Sequence, residues 1–468
     1  MSKIKPALIL GALGLFSFTA QAENTLNATH QQQLSLTLYQ NGLGFVRDTR
    51  RTDLSKGQND LAFEDVSTQL IPDSLLINTK GIEVLERRFA FDLLTPQALL
   101  DKAVGKTVSF RKFNSVTGKD DIISAKILST KNGVIVERDG QIQVGQPGQL
   151  MLEKLPQGLR AKPALLASLN APKKASFELG LAYLSNGLKW HSSYSAELSP
   201  DGKSVNLRSW ANLTNTSGTD YKNATLSLAA GQINKKTVRK NVQMMARSAP
   251  QTMMAMDSAP ERTASPPQAL GGLHLYSLPH KVDLAHKETK QVQLMAPMSF
   301  KSKRVLVRQF GPSYNAISHQ VLAVHPNIEV SFTNASNAPL PTGIVRLYRK
   351  DQAGELQFVG EDRLKATPKG NEAKLHPGQS FDVTLKRSQT EFEFNGKHSF
   401  EAAYKVVIKN AKDTAETMRV SEAFPGQWKI EKSSHKTTRR ENNRAIWEIN
   451  VPANGQKTLS YEVNVRTR

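Results

Sequence analysis

Cysteine is absent from the 468 residues. Its absence excludes disulfide frameworks, thiolate metal sites and cysteine nucleophiles together. Long apolar runs are also missing beyond the first residues, so no segment offers the ~20 apolar residues of a membrane helix. There is no Gly-x-Ser-x-Gly elbow, no His-Glu-x-x-His helix and no phosphate-binding glycine loop ahead of a helix. No cofactor is therefore expected, and a non-catalytic role leads over an enzymatic one. Acidic residues are few: 41 Asp and Glu against 62 Lys and Arg leave a formal charge of +21.

What is present begins with a secretory signal. Lys3 and Lys5 precede the apolar run from Ala7 to Phe16, and Ala20-Gln21-Ala22 offers a small-x-small cleavage site. Cleavage after Ala22 is expected, and with no cysteine to lipidate the mature chain is expected to be soluble and periplasmic. Losing Lys3 and Lys5 lowers the charge from +21 to +19. In that compartment the excess points to anionic polysaccharide, lipid head groups or an envelope protein as partner, not to nucleic acid.

Strand patterning dominates the rest. Ile328–Thr333 alternates, and Val205–Leu213 alternates if Ser209 and Ala211 face inward. Tyr404, Val406 and Ile408 form one apolar face; Leu459, Tyr461, Val463 and Val465 form another. One helix is punctuated by Thr95 as N-cap, Pro96 in the first turn and Gly105 beyond its end. Turn signals at Thr117-Gly118, Asn132-Gly133 and Asp139-Gly140 then divide short strands, the pattern of a small SH3-like or Sm-like barrel. A repeat is also visible. Asn334 ends a strand 44 positions before Gly378, Asn410 stands 45 before Gly455, and Asn215 supplies a third copy of the first element. Asparagine suits such a place because it tolerates left-handed geometry and caps a turn.

The expected fold is all-β and multi-domain: immunoglobulin-like β-sandwiches, an N-terminal β region, a short helix and the small barrel. The expected boundaries are 23–94, 95–160, 175–310, 320–390 and 395–468. A mobile loop rich in Met and Pro is expected at 235–272; its methionines, with no His or Cys among them, are a poor copper site.

Tyr183–Tyr194 and Leu213–Gly231 carry long specific motifs, Tyr183-Leu184-Ser185-Asn186-Gly187-Leu188-Lys189-Trp190 and Leu213-Thr214-Asn215-Thr216-Ser217-Gly218. With Tyr39–Arg50, Phe91–Pro96, Gly360–Gly370 and Phe381-Asp382-Val383, they resemble an uncharacterised exported bacterial family. Its domain of unknown function also forms the C-terminal part of mucoidy-inhibitor-type proteins. The resemblance implies envelope or exopolysaccharide biology, and it implies no reaction that can be assigned to residues.

Candidate sites follow from the residues. Tyr183, Asn186, Trp190 and Tyr194 are candidate ligand contacts: Trp190 with Tyr194 would form an aromatic shelf beside an Asn186-Gly187 hairpin turn, suited to a sugar or apolar ligand, although Trp and Tyr in a sandwich more often belong to its core. Lys301, Lys303 and Arg304, and separately Lys436, Arg439 and Arg440, are candidate anion contacts. The alternative reading, a β-rich periplasmic hydrolase of an envelope polymer, would draw on Trp190 or on Glu361 and Asp362. Adjacent strand residues point to opposite faces, however, so that pair would not converge. His274, His280 and His286 fall six apart and suit no compact metal site.

Overall fold

The computed structural model describes residues 23–90, 92–156, 158–234, 266–311, 322–437, 439–441 and 443–467. The expected signal segment Met1–Ala22 and positions 235–265 of the expected loop lie outside the described residues. The loop's last positions differ from expectation. Gln268–Leu270 is a strand that turns at Gly271 and pairs with Leu273–Ser277.

Among the described residues, apart from one α-helix and two single-turn helices, the regular structure is strand, and the fold is all-β. Alternation set the faces: Tyr404, Val406, Ile408, Leu459, Tyr461, Val463 and Val465 are all buried, and Ser209 and Ala211 do face inward. Asn327–Thr333 departs from the pattern. Glu329 and Ser331 are buried as well as Val330 and Phe332, and Arg419 covers Glu329 at 2.7 Å.

The first core lies between two sheets. One runs Asn24–Leu26, Gly57–Phe63, Ala164–Ala171, Glu83–Ala90; the other is built on Tyr221–Ala230, Gln31–Tyr39, Leu43–Leu54 and Ala175–Asn186. Leu36, Leu38, Val46 and Leu181 meet Leu61, Phe63, Leu165 and Leu169 between them. Arg50 is wholly buried there. It donates to Asp48 at 2.8 and 3.0 Å and to the Leu26 carbonyl at 2.6 Å.

Residues 95–160 are spliced into this sandwich, for Ala90 pairs directly with Ala164 on either side of the excursion. The helix Pro96–Lys102 is capped as expected, with the Ala98 N–H donating to Thr95 Oγ1 at 3.0 Å. Five strands follow in the order Gln141–Val144, Ile135–Arg138, Lys119–Ser129, Thr107–Asn114, Gln149–Met151, curled around Leu100, Phe110, Ile127 and Val136. The last strand returns beside the first, the order of an SH3-like or Sm-like module. Among the described residues no ladder joins Gln141–Val144 to Gln149–Met151. The ring is therefore open, and Gln141–Val144 keeps a free edge.

Three strands tie the remaining cores together. Leu188–Leu198 and Ser204–Asn215 pair along their lengths. Their outer halves place Trp190 and Leu213 in the first core, and their inner halves place Tyr194 and Leu207 in a second. The 23-residue strand Glu288–Phe310 sends Leu294 into the first core, Phe300 into the second and Leu306 into a third. At ~3.3 Å per residue it spans roughly 75 Å. Pro297 falls where its register against Ser204–Asn215 shifts, so the missing N–H interrupts no regular ladder. In the third core, Glu416–Ala423 and Arg444–Val451 face a sheet of Val383–Phe394, Ser399–Asn410, Gly455–Arg466 and Gln427–Ser433.

The repeated asparagines share one geometry. Asn215, Asn334 and Asn410 are buried. Each Nδ2 donates to the carbonyl four residues on, Thr219, Ala338 or Thr414, at 2.8–2.9 Å. A second bond reaches a distant carbonyl, Leu284, Thr367 or Pro452. Each Oδ1 accepts from the N–H two residues on, Ser217, Ser336 or Lys412. None of the three has a positive φ, so the side chain's bonding, and not left-handed backbone, fixes asparagine here. The Gly–Gln element is less regular: Gly455 opens a strand, whereas Gly378 lies near the end of one.

Candidate functional site

The expected aromatic shelf is core. Tyr183, Trp190 and Tyr194 are 1%, 0% and 2% exposed. Trp190 Nε1 donates to the Ala229 carbonyl at 3.0 Å and the Tyr194 hydroxyl to the Pro341 carbonyl at 2.7 Å, while Tyr183 OH accepts from the Ser67 N–H. Burial pushes both tyrosine phenols well up. A ring enclosed on both faces cannot stack on a ligand, which corrects that expectation. Asn186, the fourth candidate, is exposed. Asn186-Gly187 is not a hairpin turn either. Ala175–Asn186 pairs with Leu43–Leu54, whereas Leu188–Leu198 pairs with Ser204–Asn215. Gly187, at φ +80 and with Thr216–Ser217 backbone against it, is the corner where the chain changes sheets.

Of the first basic cluster, Lys301 is exposed and bonded to nothing among the described residues, but its neighbours are occupied. Arg304 holds Glu416 at 2.6 Å, and Lys412 holds the same carboxylate at 2.7 Å. Burial would raise the Glu416 pKa, yet Lys412 and Arg304 outweigh it and hold the group below its ordinary value. Lys303 approaches Glu448 at 3.3 Å; Arg419 bridges Glu448 to Glu329, and His376 Nε2 lies 3.3 Å from Glu329. These pairs stitch the second core to the third. In the second cluster Lys436 is exposed, and Arg439 and Arg440 lie on the strand Arg439–Glu441.

Glu361 and Asp362 do not form an acid–base pair. Glu361 meets Arg346 at 3.3 Å, and Asp362 accepts from the N–H groups of His376 at 2.6 Å and Arg363 at 2.7 Å. The three spaced histidines are not brought together around a metal. His274 and His280 are exposed, while His286 Nδ1 accepts from the Gly218 N–H at 3.1 Å.

Three features escape a reading of the sequence. The first is a groove of about 510 Å³ on the outer face of the third core's sheet, lined by Glu391, Glu393, Glu401, Glu431 and Glu462 around Ala402 and Ala403. Glu393 stands directly opposite Glu401 across the ladder, and Lys429 and Lys432 neutralise Glu431 and Glu462. The second is a polar cluster inside that core, where Arg387 clasps the fully buried Glu422 at 2.8 Å and lies 4.2 Å over the Tyr404 ring. Burial raises the Glu422 pKa despite Arg387. The third is apolar. Eight of the eighteen exposed large hydrophobic side chains among the described residues lie between Val104 and Leu155. They include Ile142 and Val144, 72% and 82% exposed, on the free edge strand. Gln-Ile-Gln-Val does alternate, but only the ladder reveals that its apolar face is outside.

No helix among the described residues is long and apolar enough to cross a membrane. A family model described as a domain of unknown function, DUF4139, matches residues 179–467. No curated protein matches the chain.

Proposed function

The chain belongs to the DUF4139 family, and from that premise we propose that it is an exported, non-catalytic interaction protein of the cell envelope whose contact element is the module at 95–160. Its Met1–Ala22 segment acts as a cleaved signal, and the mature chain works in the periplasm. Its sandwiches are of immunoglobulin-like kind, and its kinship extends to mucoidy-inhibitor-type proteins.

One observation carries the reading. The edge strand Gln141–Val144 has no charge, no proline and no covering element among the described residues, and it shows Ile142 and Val144 to solvent. Sheet edges are normally blunted by charge, proline or cover. An edge left bare invites an extended partner segment, with main-chain bonds giving affinity and alternate side chains giving selectivity. Phe113, Ile122 and Met151 widen the apolar surface of the same module. The charge of the mature chain favours an anionic envelope partner, through Lys301 and the exposed Lys436 rather than through the paired Lys303 and Arg304. A hydrolytic site at Glu361 and Asp362 is disfavoured by the structural bonds both carboxylates already make.

A chain with 95–159 replaced by an Asn-Gly turn tests the proposal. In intact cells treated with formaldehyde it should be processed to begin at Glu23 but form none of the partner adducts of the full chain. Adducts unchanged by the excision would overturn the assignment of the contact element.

A further inference from the structure

Three arginines gather at one end of the third core, where the carboxylate described among them is that of Glu422 and Glu441 stands opposite Arg444 in the ladder. Leu306, Arg308 and Phe310 follow one another on the inward side of Glu288–Phe310, and Arg308 and Arg387 both lie over the Phe310 ring, their guanidinium carbons 5.6 and 5.4 Å from its centroid. Arg444 reaches the same residue, with NH1 3.4 Å from the Phe310 carbonyl. Three guanidinium groups thus gather on one aromatic residue.

Their described counter-charge is a single carboxylate. Glu422 is wholly buried and is taken by Arg387 through Nε and NH2. Arg308 forms no hydrogen bond or ion pair among the described residues, and its Nε is buried with no partner. A second orphan stands close by. Gln389, nine-tenths buried, follows Arg387 on the same face of its strand opposite Tyr404, and its Nε2 also lacks a partner. The segment 312–321 that follows Phe310 contains no Asp or Glu, so it supplies no acid to the cluster.

Water satisfies orphaned donors, but it does not offset charge. A half-buried arginine surplus is stabilised by an anion, and planar guanidinium forks match the oxygens of phosphate or sulfate in paired hydrogen bonds. The geometry points to an oxyanion site formed by Arg308, Arg387 and Arg444, with Gln389 as a neutral donor, that takes a phosphate or sulfate group. Glu422 acts as a positioning residue: it takes Nε and NH2 of Arg387 and so fixes the plane of that guanidinium. The site is separate from the edge strand at 141–144, so it stands or falls independently of the contact element proposed above.

The test is titration of the full mature chain with inorganic phosphate and sulfate at constant ionic strength, followed by calorimetry and by ³¹P line width for phosphate. Saturable binding is expected, weaker by about tenfold or more in Arg308→Gln, the scale of one lost charge-assisted hydrogen bond. Arg308→Lys keeps the charge but not the fork and should fall between. Arg444→Gln gives a second variant in case the first fails to fold, and circular dichroism without anion establishes that each is native. Glycerol phosphate separates two sources of the same chemistry: a site open to an esterified group binds it, and one sized for the free ion does not. Absence of saturable binding to the native chain, or equal affinity in the folded variants, overturns the proposal.

Discussion

At the scale of single residues, much of the sequence's conspicuous chemistry serves the fold. Asn410 and Asn334 each hold two carbonyls and one N–H from a buried position. Alanine at either position leaves those groups without partners, and urea unfolding should register a loss of about 1–3 kcal/mol. The asparagine spacing was legible because it repeats; its full cause was not, since beside two local hydrogen bonds each side chain makes a third to a carbonyl 33 or 42 positions away, which leaves no local mark. The aromatic motif misled for a related reason. Trp190 and Tyr194 are amphipathic, and only their hydrogen-bonded tips show that the rings face a core instead of a ligand. The paired carboxylates give a prediction with a definite sign. Glu416 and Glu448 have folded pKa values below the ordinary carboxylate value. Their contribution is present above the unfolded pKa, about 4.3 for glutamate, and is lost as pH falls through the depressed folded values. Arg304→Gln should therefore flatten the decline in melting temperature on acidification below about pH 4.5 relative to the native chain. A decline equally steep in the variant would count against the Arg304–Glu416 pair as its source.

At the scale of elements, the module at 95–160 was well marked. Thr95, Gly105, Asn132-Gly133 and Asp139-Gly140 punctuate helix and strands by local backbone demands: Thr95 caps the helix through its side chain, and the other five have positive φ values. Its insertion into a sandwich could not be read, because the pairing of Ala90 with Ala164 joins residues separated by the whole module. That pairing makes excision mild. Replacing 95–159 with an Asn-Gly turn joins strands that are already neighbours, and it removes a core separate from the three that remain. Calorimetry should find the melting temperature of the remainder within a few degrees of the full chain's. A collapse of tens of degrees would mean that the module supports the sandwich.

At the scale of the molecule, shared strands replace linkers. Glu288–Phe310 enters three cores, and the strands Leu188–Leu198 and Ser204–Asn215 each enter two. Neighbouring cores that share a strand cannot unfold separately without fraying a hydrogen-bonded ladder in the core that stays. One calorimetric transition is expected for these cores, with calorimetric and van't Hoff enthalpies in agreement; three resolved transitions would contradict this. The sequence showed each period-two face but not that one continuous run feeds successive cores, since alternation reports which side is buried and not what lies above it. The net charge also reads differently at this scale. Lys303, Arg304, Arg419 and Lys412 close the seam between two cores, and Arg308, Arg387 and Arg444 gather at one end of the third.

The most direct measurement of the contact element is site-specific photo-crosslinking in intact cells, with a benzophenone side chain placed at Ile142 on the bare edge and, as control, at Lys432 beside the acidic groove. A discrete adduct from position 142 that is absent from position 432 is the predicted result. No adduct from 142, or the same adduct from both, would contradict it.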